Sequence, residues 1–285
     1  MTNETWTLRT DAVRLIAHRG SSAAYPEHTR AAYQQALDDG ADGIETDVRL
    51  TADGVAVCWH DPTVDRTTEG HGELAGYTLD ELARLDLLRG KDIPATHGDP
   101  ARQLMTLAAL LELARGAGRP LILAVELKAS ASPDVPLIDA VLSELEAAGW
   151  DPALGLLDAV QISLQCFDEA TARLLLQCVP AHLVMLLTHP RGDDEPAAHA
   201  LVDAGSAHVG PSIEWMRRRP ERILDWLAQG TTVRAWTIDE PDDLRFCLGL
   251  GIAEITTNRP RELRAALAAP TTAAAPTSGA ALQTA

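Results

Sequence analysis

Short apolar runs alternate with amphipathic stretches along most of the chain, and polar residues collect where the apolar runs stop. The first run, over 13–17, leads directly into His18-Arg19-Gly20. A helix is predicted over 27–37, with an acidic first turn and Gly40 just past its end. The next stretch, GIETDVRLTADGVAVCWHD over 43–61, predicts a hairpin. Its apolar lead-in ends at Glu45 and Asp47, it turns at Thr51-Ala52-Asp53-Gly54, and it returns through alternating residues to His60. Side chains two apart on a strand share a face, so both carboxylates aim at one spot. Two acids and an imidazole at adjoining strand ends make either a hard-metal site with an acid–base group or a polar sheet edge.

From 62 to about 103 the rhythm lapses into Thr, Gly, Asp and Arg, with one short helix near 78–85. Such a stretch predicts an insertion on one rim of the fold. Rhythm returns with a helix over 104–114 and a strand over 121–125 that ends in Glu126-Leu127-Lys128. Further strands are predicted over 160–165, 182–187, 208–210, 232–236 and 252–256, and helices over 134–148, 168–178, 196–204, 220–228, 241–248 and 261–267. The pattern makes about eight βα units, which predicts an α/β fold of the (β/α)₈ TIM-barrel kind with a small insertion after the second-strand hairpin. No GxGxxG follows the first strand, which weakens an open doubly wound sheet. The barrel domain is expected over 1–268, and the Ala/Pro/Thr-rich residues 269–285 as a disordered tail.

Charge narrows the function. With 24 Lys+Arg against 41 Asp+Glu the formal net charge is -17, which disfavours nucleic acid and anionic membranes as partners. Four widely spaced cysteines, Cys58, Cys166, Cys178 and Cys247, form no CxxC and read as reduced core residues. The N-terminal residues lack the apolar stretch of a signal peptide, and no segment approaches a membrane span, so a cytoplasmic protein without stable membrane association is expected. His71 and His97 carry no motif and read as solvated.

In a barrel of this type catalytic groups sit at the C-terminal ends of the strands. His18-Arg19, Glu45 and Asp47, His60, Glu126 and Lys128, Gln165 and Trp236 each follow an apolar strand body, so they converge on one rim. Glu45, Asp47 and Glu126 offer only oxygen ligands, which suits Mg²⁺ or Ca²⁺ better than zinc. Arg19 and Lys128 bring positive charge beside that cation, and Arg can hold a phosphate oxygen pair in a bidentate fork. Two histidines can divide proton transfer, one accepting from a nucleophile and the other donating to a leaving alkoxide. The combination points to phosphodiester cleavage.

These residues resemble those of the glycerophosphodiester phosphodiesterases. The matching pieces are His18-Arg19-Gly20, Pro26-Glu27-His28-Thr29, Glu45-Thr46-Asp47-Val48, His60-Asp61-Pro62, Asp65-Arg66-Thr67-Thr68, Glu126-Leu127-Lys128, Gln165-Cys166-Phe167-Asp168, Ala235-Trp236-Thr237 and Thr256-Thr257-Asn258-Arg259-Pro260. They follow the family's order and cover nearly everything except the tail. The resemblance implies a barrel of the phosphatidylinositol-phospholipase-C-like type, Glu45, Asp47 and Glu126 as ligands of Mg²⁺ or Ca²⁺, and His18 and His60 as general base and acid. It implies Arg19 and Lys128 as phosphate contacts, with Phe167 and Trp236 lining the glycerol or leaving-group pocket. The implied reaction passes through a cyclic phosphate to an alcohol and sn-glycerol 3-phosphate. Three positions depart from the family's usual residues: His28 for Asn, Cys166 for Ser and Asn258 for Asp.

Two other functions compete. A lysophospholipase-D-like phosphodiesterase would show an apolar, membrane-facing rim, which the polar insertion argues against. A non-catalytic phosphodiester-binding protein would have lost a histidine or a metal ligand, and all are present.

Overall fold

The computed structural model describes residues 13–189 and 195–268. The predicted tail and the first twelve residues lie outside the described residues. Eight parallel strands among the described residues close into a barrel: β1 (Arg14–His18), β2 (Gly43–Leu50), β4 (Leu121–Leu127), β6 (Val160–Cys166), β7 (Val184–Thr188), β8 (His208–Pro211), β9 (Thr232–Ala235) and β10 (Glu254–Thr257). β1 pairs with both β10 and β2, which shuts the ring. Two short strands pair antiparallel to it, β3 (Ala56–Cys58) against β2 and β5 (Leu156–Leu157) against β6. The (β/α)₈ expectation therefore holds.

Strand alternation explains the layering. Leu15 and Ala17, Ile44 and Val48, Leu123 and Val125, and Ile162 and Leu164 face the surrounding helices and join one apolar core. The residues between them face the barrel axis, and several are polar: Glu45, Asp47, Glu126, Ser163, Gln165, Arg234 and Glu254, all buried. Closing the barrel thus gathers polar groups that the sequence spreads over 200 positions. Register sets which ones meet. His18 is the Cα partner of Glu45, Asp47 of Glu126, and Glu126 of Gln165.

The helices follow their caps. α1 runs Arg30–Asp38 rather than from 27, because the Thr29 side chain accepts from Ala32 N and sets the start there. Glu27 is left in the preceding loop, where His28 takes φ 60. α2 (Leu79–Leu82) begins on a Thr78–Glu81 capping box, and α3 (Leu107–Gly116) on Thr106. α4 (Val135–Ala147), α5 (Glu169–Cys178), α6 (Glu195–Asp203), α8 (Pro220–Ala228), α9 (Pro241–Leu250) and α10 (Pro260–Ala268) lie close to their predicted spans. α7 (Ile213–Arg218) was not predicted; it is under two turns long, starts on the Ser212 cap and stacks Trp215 on Trp226 at 5.4 Å. No described helix is long and apolar enough to cross a membrane.

The insertion between β3 and α3 has its own small core of Val57, Trp59, Val64, Leu74, Leu82 and Leu87. Two sequence expectations are corrected here. His97 is buried, not solvated, because the turn over 95–97 packs on α1 and brings its Nε2 3.1 Å from Gln35 Oε1. Cys178, at the end of α5, is exposed, whereas Cys58, Cys166 and Cys247 are buried free thiols.

Candidate active site

The loop after β1 is built to a tight specification. Arg19 takes φ 59, and its amide donates to the Glu45 backbone carbonyl at 3.0 Å and lies 3.2 Å from Glu45 Oε2. Gly20 follows at φ 83, and a Cβ there would stand 2.5 Å from the Ala32 carbonyl carbon. Only glycine fits both the angle and the gap. The His28 amide then donates to the Arg19 carbonyl at 3.1 Å, so the two left-handed residues brace one another.

A cavity of about 450 Å³ opens at the C-terminal ends of the strands. His18, Arg19, Glu45, His60, Glu126, Lys128, Phe167 and Trp236 all line it. Asp47 does not; it sits fully buried behind the wall. Its Oδ1 is 3.1 Å from Lys128 Nζ and its Oδ2 is 3.1 Å from Arg19 Nε and 2.9 Å from His28 Nε2. Glu126 Oε1 lies 2.5 Å from the same ammonium.

Ligand atoms of Glu45, Asp47 and Glu126 lie within 4.8 Å of one another. Asp47 Oδ1 and Glu126 Oε1 are both buried and both face the one Lys128 ammonium, which leaves other lone pairs of the two carboxylates open. Three buried carboxylates with spare lone pairs form an all-oxygen donor set, and a divalent metal ion fits it. Burial, together with the Asp47 and Glu126 charges, pushes the Glu45 carboxyl well above the usual range. Burial and Asp47 raise Glu126 as well. Burial acts the same way on Asp47, but Lys128, His28 and Arg19 overcome it and hold Asp47 ionised.

Each histidine is held by its Nδ1. Asn258 Nδ2 donates to Asp239 Oδ2 at 2.6 Å, which turns its Oδ1 toward His18 Nδ1 at 2.8 Å. An amide oxygen only accepts, so His18 carries its proton on Nδ1 and keeps Nε2 as a base. Burial, aided by Arg19, lowers the His18 pKa to about 4. His60 Nδ1 lies 2.6 Å from Asp61 Oδ1, which fixes the same tautomer. Burial lowers its pKa, partly opposed by Asp47. The hairpin brings it there: the Trp59 amide donates to the Asp47 carbonyl at 2.9 Å, and Arg49 bridges the His60 carbonyl at 2.7 Å and the Lys128 carbonyl at 3.2 Å.

Phe167 and Trp236 meet edge to face at 5.5 Å on the far wall, with Lys128 Nζ 5.5 Å from the Phe167 ring centre. Trp236 Nε1 donates to the Gly210 carbonyl at 2.8 Å, which holds the indole in place. Sequence reasoning missed Arg234, whose Nη1 is 2.9 Å from Ser163 Oγ and 3.4 Å from Gln165 Oε1. Gln165 Nε2 in turn reaches Glu45 Oε1 at 3.4 Å. The only signal for Arg234 was its place two residues before Trp236, on the same strand face.

Residues 18–262 match the profile of the glycerophosphoryl diester phosphodiesterase family. The chain is 37% identical over 255 residues to the probable glycerophosphodiester phosphodiesterase 1 of Mycobacterium tuberculosis, covering 88% of this chain and 91% of that protein. It is 29% identical over 250 residues to the glycerophosphodiester phosphodiesterase of Caldanaerobacter subterraneus, covering 87% and 95%. Among solved structures it superposes with a TM-score of 0.73 on an Oleispira antarctica phosphodiesterase in complex with the product sn-glycerol-3-phosphate, at 22% identity and covering 90% and 97%. At that identity the likeness speaks for the fold.

Proposed function

The chain belongs to the glycerophosphoryl diester phosphodiesterase family, and we propose that it hydrolyses glycerophosphodiesters to an alcohol and sn-glycerol 3-phosphate by acid–base catalysis with His18 and His60. The observation that carries this reading is the buried Glu45–Asp47–Glu126 carboxylate cluster, with both Nδ1-anchored histidines lining the cavity beside it. Glu45, Asp47 and Glu126 would hold Mg²⁺ or Ca²⁺, which when bound offsets phosphate charge and polarises the phosphoryl oxygen.

Arg19 and Lys128 bind the phosphate oxygens, Arg19 through its planar fork. His18 Nε2, unprotonated at neutral pH, takes the proton of the glycerol hydroxyl next to the phosphodiester as that oxygen bonds to phosphorus. The bond from phosphorus to the head-group oxygen breaks, and His60, entering this step as the imidazolium that Asp61 stabilises through Nδ1, gives its Nε2 proton to the departing alkoxide. In the second half the roles reverse. His60 takes a proton from water, the new P–O bond opens the cyclic phosphate, and His18 returns its proton to the glycerol oxygen. Phe167 and Trp236 form the apolar wall against which the glycerol or the leaving group packs.

Release of sn-glycerol 3-phosphate from glycerophosphocholine tests the reading. Turnover should vanish in EDTA and return with Mg²⁺ or Ca²⁺. No release from any head group with either ion defeats it.

A further inference from the structure

A line of alternating charges joins His60 to Arg19 through Asp61, Arg66 and Glu27, and neither Arg66 nor Glu27 has been given a role so far. His60 Nδ1 meets Asp61 Oδ1 at 2.6 Å, and Asp61 Oδ2 meets Arg66 Nε at 2.5 Å. Arg66 then turns its other nitrogens to Glu27, with Nη2 at 2.6 Å from Oε1 and Nη1 at 2.9 Å from Oε2. Glu27 Oε1 accepts from Arg19 Nη1 at 3.0 Å, and Arg19 Nε faces Asp47 Oδ2 at 3.1 Å. One guanidinium from the insertion therefore grips two carboxylates, each of which holds a different active-site group.

The insertion fixes Arg66 in turn. Val64, two residues earlier, is fully buried in the insertion's own core, and its amide donates to the Gly72 carbonyl at 3.0 Å. Thr68 Oγ1 donates to the Val64 carbonyl at 2.8 Å, and Arg89 Nη1 to the Arg66 carbonyl at 3.0 Å. The Arg66 side chain remains half exposed, at 49%. Solvent screens the exposed side of these pairs, which limits what they add to stability. The bidentate fork instead supplies direction, which a carboxylate beside a catalytic histidine needs.

We propose that Arg66 is a positioning residue that sets both ends of the active site, orienting His60 through Asp61 and Arg19 through Glu27. With Asp61 Oδ2 held by Arg66, Oδ1 is left to accept from His60 Nδ1, and the ring is locked with Nε2 as its free nitrogen. The second arm keeps Arg19 from swinging toward solvent. This inference rests on the roles proposed above for His60 and Arg19.

The test joins kinetics to histidine ¹⁵N spectroscopy on the metal-free protein, with Arg66→Gln, Asp61→Asn and His60→Ala in parallel. Arg66→Gln should keep its melting temperature while kcat/KM falls by about 10-fold or more, and the His60 nitrogen signals should move from a fixed Nδ1–H tautomer to a mixture. Asp61→Asn should shift the same signals. Because Arg66 acts through Asp61, the double variant should lose less than the product of the two single losses. An unchanged kcat/KM in Arg66→Gln, a fallen kcat/KM with unaltered His60 signals, or multiplicative losses in the double variant each overturn the proposal. If His60→Ala retains turnover, the catalytic reading of His60 is what fails; if His60→Ala is dead and Arg66→Gln is fully active, the positioning role alone fails.

Discussion

His28 Nε2 lies 2.9 Å from Asp47 Oδ2, and its Nδ1 lies 2.8 Å from the Tyr33 hydroxyl, which is itself 2.6 Å from Thr46 Oγ1. Asp47 is ionised and can only accept, so neutral His28 donates from Nε2 and accepts from Tyr33. From the loop that precedes α1, His28 reaches Asp47 directly. It fixes one oxygen of Asp47 and leaves Oδ1 turned to Lys128 and Glu126.

Removing that support should weaken metal binding. His28→Ala leaves Asp47 Oδ2 with Arg19 alone, and partners of this kind are worth roughly 10–100-fold in metal affinity. Tyr33→Phe should give a smaller loss in the same direction. Calorimetric titration with Mg²⁺ and Ca²⁺ measures both, and an unaltered affinity in His28→Ala would remove His28 from this role.

Cation binding should release protons. Glu45 and Glu126 are both pushed upward by burial and by the neighbouring carboxylates, so without a cation the cluster retains protons near neutral pH. A dication must displace them, and apparent affinity should therefore rise with pH. Titrating the protein with Mg²⁺ in weakly buffered solution containing an indicator should show acidification; a flat trace contradicts the raised carboxyls.

A second buried ion pair supports the barrel below the site. Burial would raise the Glu254 pKa, but Arg234 at 2.8 Å and Arg14 at 2.6 Å lower it below its ordinary value. A depressed carboxyl stabilises the fold above its unfolded pKa, and that contribution is lost as pH falls through the lower folded value. Glu254→Gln strands buried charge and should cost about 3 kcal/mol at pH 7. The gap from the unsubstituted protein should narrow below roughly pH 4. Urea unfolding at both pH values measures it, and a gap independent of pH would contradict the assignment.

Gly20→Ala should destabilise by more than about 1 kcal/mol, since φ 83 and a 2.5 Å approach to Ala32 both oppose a side chain. Because Gly20 follows Arg19, activity should fall along with the melting temperature. A variant with unchanged thermal unfolding would show that the loop relaxes freely.

The sequence by itself determined the parts of this protein that depend on short range. Strand alternation put Glu45 with Asp47, and Glu126 with Lys128, on shared faces, because successive side chains on a strand point to opposite sides. Apolar periodicity gave the eight βα units, and turn chemistry gave the hairpin to His60, since both are set within a dozen residues. Only the tertiary structure decided the partners. Asn258 stands 240 residues from His18, Arg66 39 from Glu27, and Arg234 69 from Gln165, and each pair exists through barrel closure or the docking of the insertion. The same distance effect buried His97 and set Asp47 behind the cavity wall. Such pairings depend on register and on how separate layers seat, and a one-dimensional pattern carries neither.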